Sequence, residues 1–302
     1  VLVMWRQLAI LTVGLFLSGT AQAKIQLFSC EPEWAALARE LGGEHIKVFS
    51  ASTARQDVHH IQARPSLFAK LRWADLLVCS GAGLEAGWLP VLLRRANNPR
   101  ILPGQPGYLD MSRHIDMMDV RASVDRAEGD VHPEGNPHFQ LDPRHYERFA
   151  RVLAERMGLI DPERAGDYNQ AATDFIKDWE ARLEEWQTQA TPLRGARVVA
   201  HHLDWKYLFD WLGIEQVATL EPKPGVPPST GHLSRVLETL QSRPAGCVLR
   251  TVYQPGKPSA WLAGRTTIQA TVIPHTVGVD ETVPTLPALF DGIVMRLLEH
   301  CR

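Results

Sequence analysis

The chain reads as an α/β protein with two doubly wound, parallel-sheet lobes joined by a long rigid helix. Three observations predict this. Strand-like and helical segments alternate at short spacing from residue 24 to 160, one long helical stretch fills 161–190, and the alternation resumes over 191–302. Such alternation favours parallel strands joined by crossover helices. Sheets of that kind gather their ligands beyond the carboxyl ends of the strands.

In order, residues 24–30 (KIQLFSC) suit a strand, and 33–41 (EWAALAREL) a helix closed by Gly42 and Gly43. A second strand is expected at 46–50, a helix at 66–72, and a buried third strand at 76–80 (LLVCS) before Gly81. A helix over 142–157 begins at Asp142-Pro143 and stops at Gly158. From Asp161-Pro162, Tyr168, Ala172, Phe175, Trp179, Leu183 and Trp186 recur at spacings of three and four, the mark of one buried helical face. At 1.5 Å per residue this stretch makes a rod of roughly 43 Å, long enough to be a spine between lobes. After Thr191-Pro192 come strands at 197–200 (RVVA), 216–220, 247–250 and 271–273, and helices at 207–212, 233–241 and 286–298.

The first 23 residues stand apart. Arg6 is their only charge, 8–17 is apolar, and Ala21-Gln22-Ala23 supplies a small-x-small cleavage pattern. The run is too short for a membrane span, which needs about 20 residues. We expect a cleaved signal peptide over 1–23, lobes at 24–160 and 191–302 with the spine at 161–190, and a periplasmic location. Lys24 follows the cleavage point, where a lipid anchor would require Cys.

Without that segment the chain keeps 31 basic and 34 acidic residues, a formal charge of −3. Nothing in this balance favours nucleic acid or an anionic membrane as partner. All four cysteines, 30, 79, 247 and 301, lie in the exported part, where an even number suggests disulfides with three complete pairings open.

The stretch 129–143 (GDVHPEGNPHFQLDP) has little apolar periodicity and many turn-formers, so it is an ordered loop of the kind that carries function. His138 lies in it. His59 follows the second strand in DVHH, His202 ends the RVVAHH strand, and His275 follows a late strand in VIPHTVG. Two thus come from each half, at the strand ends where ligands gather. Neutral imidazoles suit zinc, copper or nickel, and the lack of a carboxylate cluster counts against calcium, magnesium and manganese. His60, His201 and His132 compete with their neighbours, and spacing alone does not choose between them.

These segments together resemble the zinc-binding, substrate-binding proteins of bacterial ABC transporters, the cluster A-I receptors with a rigid interlobe helix. In DVHHIQARPS, Asp57, His59 and Pro65 match that family's first ligand segment, with Val58 in place of a proline. NPHFQLDP matches the second around His138, and HLDWKY resembles the third, which selects His202 over His201. Where many relatives carry a fourth-ligand Asp, this chain has His275, so the resemblance implies His275 or water there, with Asp280 as the competing carboxylate. Manganese and iron members carry a carboxylate at the third position, so His202 favours zinc.

The resemblance implies a Cys247–Cys301 disulfide whose 54-residue loop would stabilise by about 4 kcal/mol, while Cys30 and Cys79 either pair or stay reduced. It implies a monomeric periplasmic receptor that captures Zn2+ and delivers it to a membrane permease, with a periplasmic metallochaperone an open question. His132 and Glu134 would act at most as a transient collector. Other readings are a manganese or iron receptor, an adhesin-like metal protein, and a zinc hydrolase. The last lacks an HExxH signature and has only Glu134 and Glu221 as suggestive acids. Imidazoles must lose their protons to bind, so affinity is expected to fall below about pH 6.5.

Overall fold

Among the described residues, eight short strands form two separate four-stranded parallel sheets. The computed structural model describes residues 24–123 and 125–302; the expected signal peptide lies outside them. In the first lobe β1 (Ile25–Ser29) leads to α1 (Pro32–Gly42), β2 (Ile46–Ser50), α2 (Pro65–Arg72), β3 (Leu76–Cys79), α3 (Leu89–Ala96) and β4 (Tyr108–Asp110). Then α4 (Tyr146–Ile160) and α5 (Ala165–Gln189) carry the chain across. The second lobe follows with β5 (Arg197–Ala200), α6 (Lys206–Leu212), β6 (Glu215–Thr219), α7 (Thr230–Ser242), β7 (Cys247–Arg250), α8 (Gly256–Ala263), β8 (Gln269–Val272) and α9 (Leu286–His300).

The sheet orders are β2-β1-β3-β4 and β6-β5-β7-β8, so the two lobes share one topology. In each, the chain leaves its central strand first to one side and then to the other. The crevice opens where that direction reverses, beyond the ends of β1 and β3 and of β5 and β7. His201 and His202 directly follow β5 and so sit at that point.

Side-chain alternation along the strands divides each sheet between two cores. Leu27, Leu76, Val78 and Leu109 point to the same core as Val198, Ala200, Cys247 and Leu249 of the other sheet. Phe28, Leu77 and Leu92 fill a second cluster outside the first sheet, and Val199, Val217 and Val248 a third outside the second. The shared core is bound by α4, α5 and α9. Trp179 of α5 lies 4.7 Å from Tyr146 of α4 and 5.5 Å from Phe290 of α9, ring to ring, and its Nε1 donates to Pro143 O at 2.7 Å. Trp186 donates to Asp291 Oδ1 at 2.7 Å. The two lobes are therefore fused through one hydrophobic interior.

The spine is shorter than 161–190, because residues Pro162–Arg164 form a separate 3-10 turn. Its 25 residues still span about 37 Å. The preceding helix also starts later than expected, since Asp142 caps a 3-10 turn by accepting from Arg144 N. Nor does Gly158 stop it. A Cβ there would come within 3.0 Å of Ala165, so the glycine permits close approach of α4 to the start of α5.

Cys247 pairs with Cys301, as the resemblance implies, and ties the C-terminus to β7. Cys30 pairs with Cys79, closing the ends of the adjacent strands β1 and β3. Among the described residues no helix is long and apolar enough to cross a membrane.

Candidate metal centre

The DVHH segment folds as a 3-10 turn, Val58–His60, fixed from both sides. Trp88 Nε1 donates to Val58 O at 2.8 Å, and Asp57 Oδ1 accepts from His59 N at 3.0 Å. The same oxygen lies 2.7 Å from His59 Nδ1. That contact places the ring proton on Nδ1 and leaves the Nε2 lone pair free. His59 Nε2 is buried and has no hydrogen-bond partner. Burial works to raise the Asp57 carboxyl, but the hydrogen bonds and charge of His59 bring it down to about 2.

His138 is set by its neighbours in the Asn-Pro-His sequence. Asn136 Oδ1 accepts from His138 N at 3.0 Å, while Asn136 Nδ2 donates to Leu203 O at 3.0 Å in the other lobe. Tyr207 reinforces the same junction, donating to Asn136 O at 3.0 Å and accepting from Met118 N at 2.8 Å. The asparagine and tyrosine thus lock together the two loops that carry His138 and His202. Burial, followed by the charges of His59 and His202, holds the His138 imidazole well below its ordinary range.

His202 has a carboxylate near each ring nitrogen. Nδ1 lies 2.7 Å from Glu221 Oε2, and Nε2 lies 3.5 Å from Asp204 Oδ1. Burial would lower its pKa, but Asp204 and Glu221 raise it to about 9.

His59, His138 and His202 are all buried, and one donor atom from each lies within 4.8 Å of the others. Their ring centroids are 5.4 Å, 5.7 Å and 5.8 Å apart. Three buried imidazoles drawn this close together suit a borderline divalent ion.

The sequence profile of one family, the zinc-uptake complex component A, periplasmic, matches residues 29–297. The chain belongs to this family. Component A relatives include the high-affinity zinc uptake system protein ZnuA of Brucella abortus (strain 2308), 24% identical over 111 residues, or 37% of this chain and 33% of the relative. The chain therefore spans only about a third of that relative's length. The manganese ABC transporter substrate-binding lipoprotein PsaA of Streptococcus anginosus is 21% identical over 174 residues, covering 57% of this chain and 52% of the relative. In fold, a crystal structure of ZnuA superposes with a TM-score of 0.77 at 18% identity, over 93% of this chain and 100% of that one. The family is one of substrate-binding components of metal ABC transporters, which are receptors and not enzymes.

Not every residue expected at the centre of this component A protein joins the trio. His275 stands back from it. Its ring packs edge-on against Tyr253 at 5.1 Å, its Nδ1 is buried without a partner, and burial lowers its pKa to about 4. Asp280 is turned to solvent, where its Oδ1 accepts from Thr282 N and Oγ1 and its Oδ2 faces Arg296 at 3.7 Å. His60 is exposed and lies 3.4 Å from Asp130, while His201 is buried with Nε2 3.7 Å from Glu221. His132 lies beside His59, 5.4 Å ring to ring, with its pKa lowered to about 4, first by burial and then by His59.

Sequence reasoning noted Asp57 and Glu221 without giving either a partner at the centre, and it missed Asp204. All three contact the trio's imidazoles, and the two-residue spacings of Asp57 to His59 and of His202 to Asp204 were the local signals for two of them. Glu31, Glu33 and Glu85 form a second buried group on the first-lobe side of the cleft. Burial raises all three, Glu33 and Glu85 to about 7. Glu33 Oε2 accepts from Thr276 Oγ1 at 2.5 Å, a further bond between the lobes.

Proposed function

We propose that the chain is a periplasmic zinc receptor that captures Zn2+ between its lobes at His59, His138 and His202 and delivers it to the membrane permease of an ABC importer. One observation carries this reading: the buried trio of imidazoles drawn from both lobes. Three neutral nitrogens in a small cavity favour zinc over harder ions that prefer oxygen. Asp57 and Glu221 orient two of the rings and offset the charge of the incoming ion. The zinc-uptake family supports the same assignment. A manganese receptor is the second reading, favoured by the streptococcal manganese relative.

Release follows from the fold. Because α4, α5 and α9 share one core across the lobes, the ion leaves by movement of the loops around residues 57–60, 129–138 and 201–205 rather than by wide hinge opening.

The test is metal content together with competitive titration of zinc and manganese against the exported protein. One zinc per chain is expected, held more tightly than manganese, with His59→Ala, His138→Ala and His202→Ala each weakening it by more than roughly 100-fold, beyond the usual cost of an outer-shell change. Zinc binding indifferent to all three changes would sink the proposal. Tighter binding of manganese would transfer it to the second reading.

A further inference from the structure

The trio supplies three donors, and a tetrahedral ion takes four. We propose that Asp204 Oδ1 is the fourth donor, an inference that rests on the metal-receptor reading above. Asp204 is only 3% exposed. Its Oδ2 accepts from Gln254 Nε2 at 2.8 Å, whereas its Oδ1 is buried with no hydrogen-bond partner. His202 Nε2 faces that oxygen at 3.5 Å, beyond a normal hydrogen bond, and a buried carboxylate oxygen so weakly satisfied is costly unless a cation completes it.

The spacing of that oxygen from His202 fits two ligands of one tetrahedral ion. Asp204 Oδ1 lies 3.5 Å from His202 Nε2, the nitrogen left over once Nδ1 has met Glu221. Two donors on one tetrahedral zinc, with bonds of about 2.0–2.1 Å, sit about 3.3 Å from each other. The spacing of Oδ1 and Nε2 is close to that of two ligands on one ion. His202 and Asp204 also share one short turn, whose Leu203 carbonyl accepts from Asn136. A single turn would then deliver a nitrogen and an oxygen together.

The other candidate donors have contacts elsewhere. Asp280 is engaged with Thr282 and Arg296 at the surface, and His275 is packed against Tyr253. His132 packs beside His59, 5.4 Å ring to ring. A hard oxygen among three imidazoles also reduces the net charge of the loaded site, which three neutral ligands alone would leave at that of the bare ion.

Cobalt(II) can stand in for zinc and report its own coordination by visible absorption, with azide as a probe for a replaceable fourth position. The wild type should hold one Co2+ and keep its spectrum when azide is added. Asp204→Ala and the isosteric Asp204→Asn should bind Co2+ roughly tenfold or more weakly and should change spectrum with azide. His275→Ala and His132→Ala should behave as the wild type does. An equal azide response in wild type and Asp204→Ala, whether taken up or refused, overturns the assignment, as does an azide response gained by His275→Ala or His132→Ala instead. Failure of the receptor reading looks different, because the wild type then holds no stoichiometric Co2+ at all.

Discussion

Zinc binding should still depend on pH well above the range where histidine ordinarily titrates. In the metal-free protein Asp204 and Glu221 overcome the effect of burial and hold the His202 pKa at about 9. Its Nε2 must lose a proton before it can coordinate, so at every pH below about 9 the ion competes with that proton. The sign follows directly: raising the pH through this window strengthens binding, and each unit is worth about 1.4 kcal/mol, or tenfold. Between pH 7 and pH 8 the zinc affinity should therefore rise about tenfold, with roughly one proton released per ion at pH 7. Competition against a chelator calibrated at both pH values gives the first quantity, and calorimetry in two buffers of different ionisation enthalpy gives the second. Glu221→Gln removes one of the carboxylates that hold the proton, so it should reduce the release at pH 7 while weakening zinc roughly 10–100-fold through loss of ring orientation. Equal affinities at the two pH values with no proton release would refute the reasoning, and the threshold near pH 6.5 expected for ordinary imidazoles would stand.

Two further outcomes follow from the packing. Asn136→Ala removes the acceptor for His138 N and the bond to Leu203 O, and should weaken zinc roughly 10–100-fold while the three imidazoles remain; unchanged affinity in a chelator competition would show that the Asn-Pro-His segment holds its shape without it. Trp179→Ala empties the centre of the shared core and should cost about 3–5 kcal/mol in urea unfolding. Circular dichroism and tryptophan fluorescence should report one common transition, and two separated transitions would contradict a single interior spanning the lobes.

Much of the fold was legible because buried parallel strands are short apolar runs and the spine carries a regular aromatic stripe. What escaped was short or began with helix-unfriendly residues: α3 opens on Leu89-Pro90, α8 on Gly256-Lys257-Pro258, and β4 has only three residues. Gly158 reads as a helix stop because the sequence shows its lack of a side chain but not the neighbouring Ala165 that requires it. At the centre, His59, His138 and His202 stood in recognisable segments. Glu221 meets His202 from 19 residues away, and such a contact leaves no local pattern. Glu33 sits in the first turn of a helix, where an acid is ordinarily a solvated favourable charge. Only the second lobe closing over it, through Thr276, makes it interior.

The aromatic seam of Tyr146, Trp179 and Phe290 limits how such a protein can be taken apart or recombined. Either sheet, expressed with only its own helices, would present half of that seam to water and become prone to self-association. The lobes are consequently not interchangeable cassettes. A chimera that joins this metal-binding face to a foreign partner would have to bring α4, α5 and α9 as one inherited set, and a chain cut between α5 and β5 would yield two sticky fragments that recover solubility only by finding each other again.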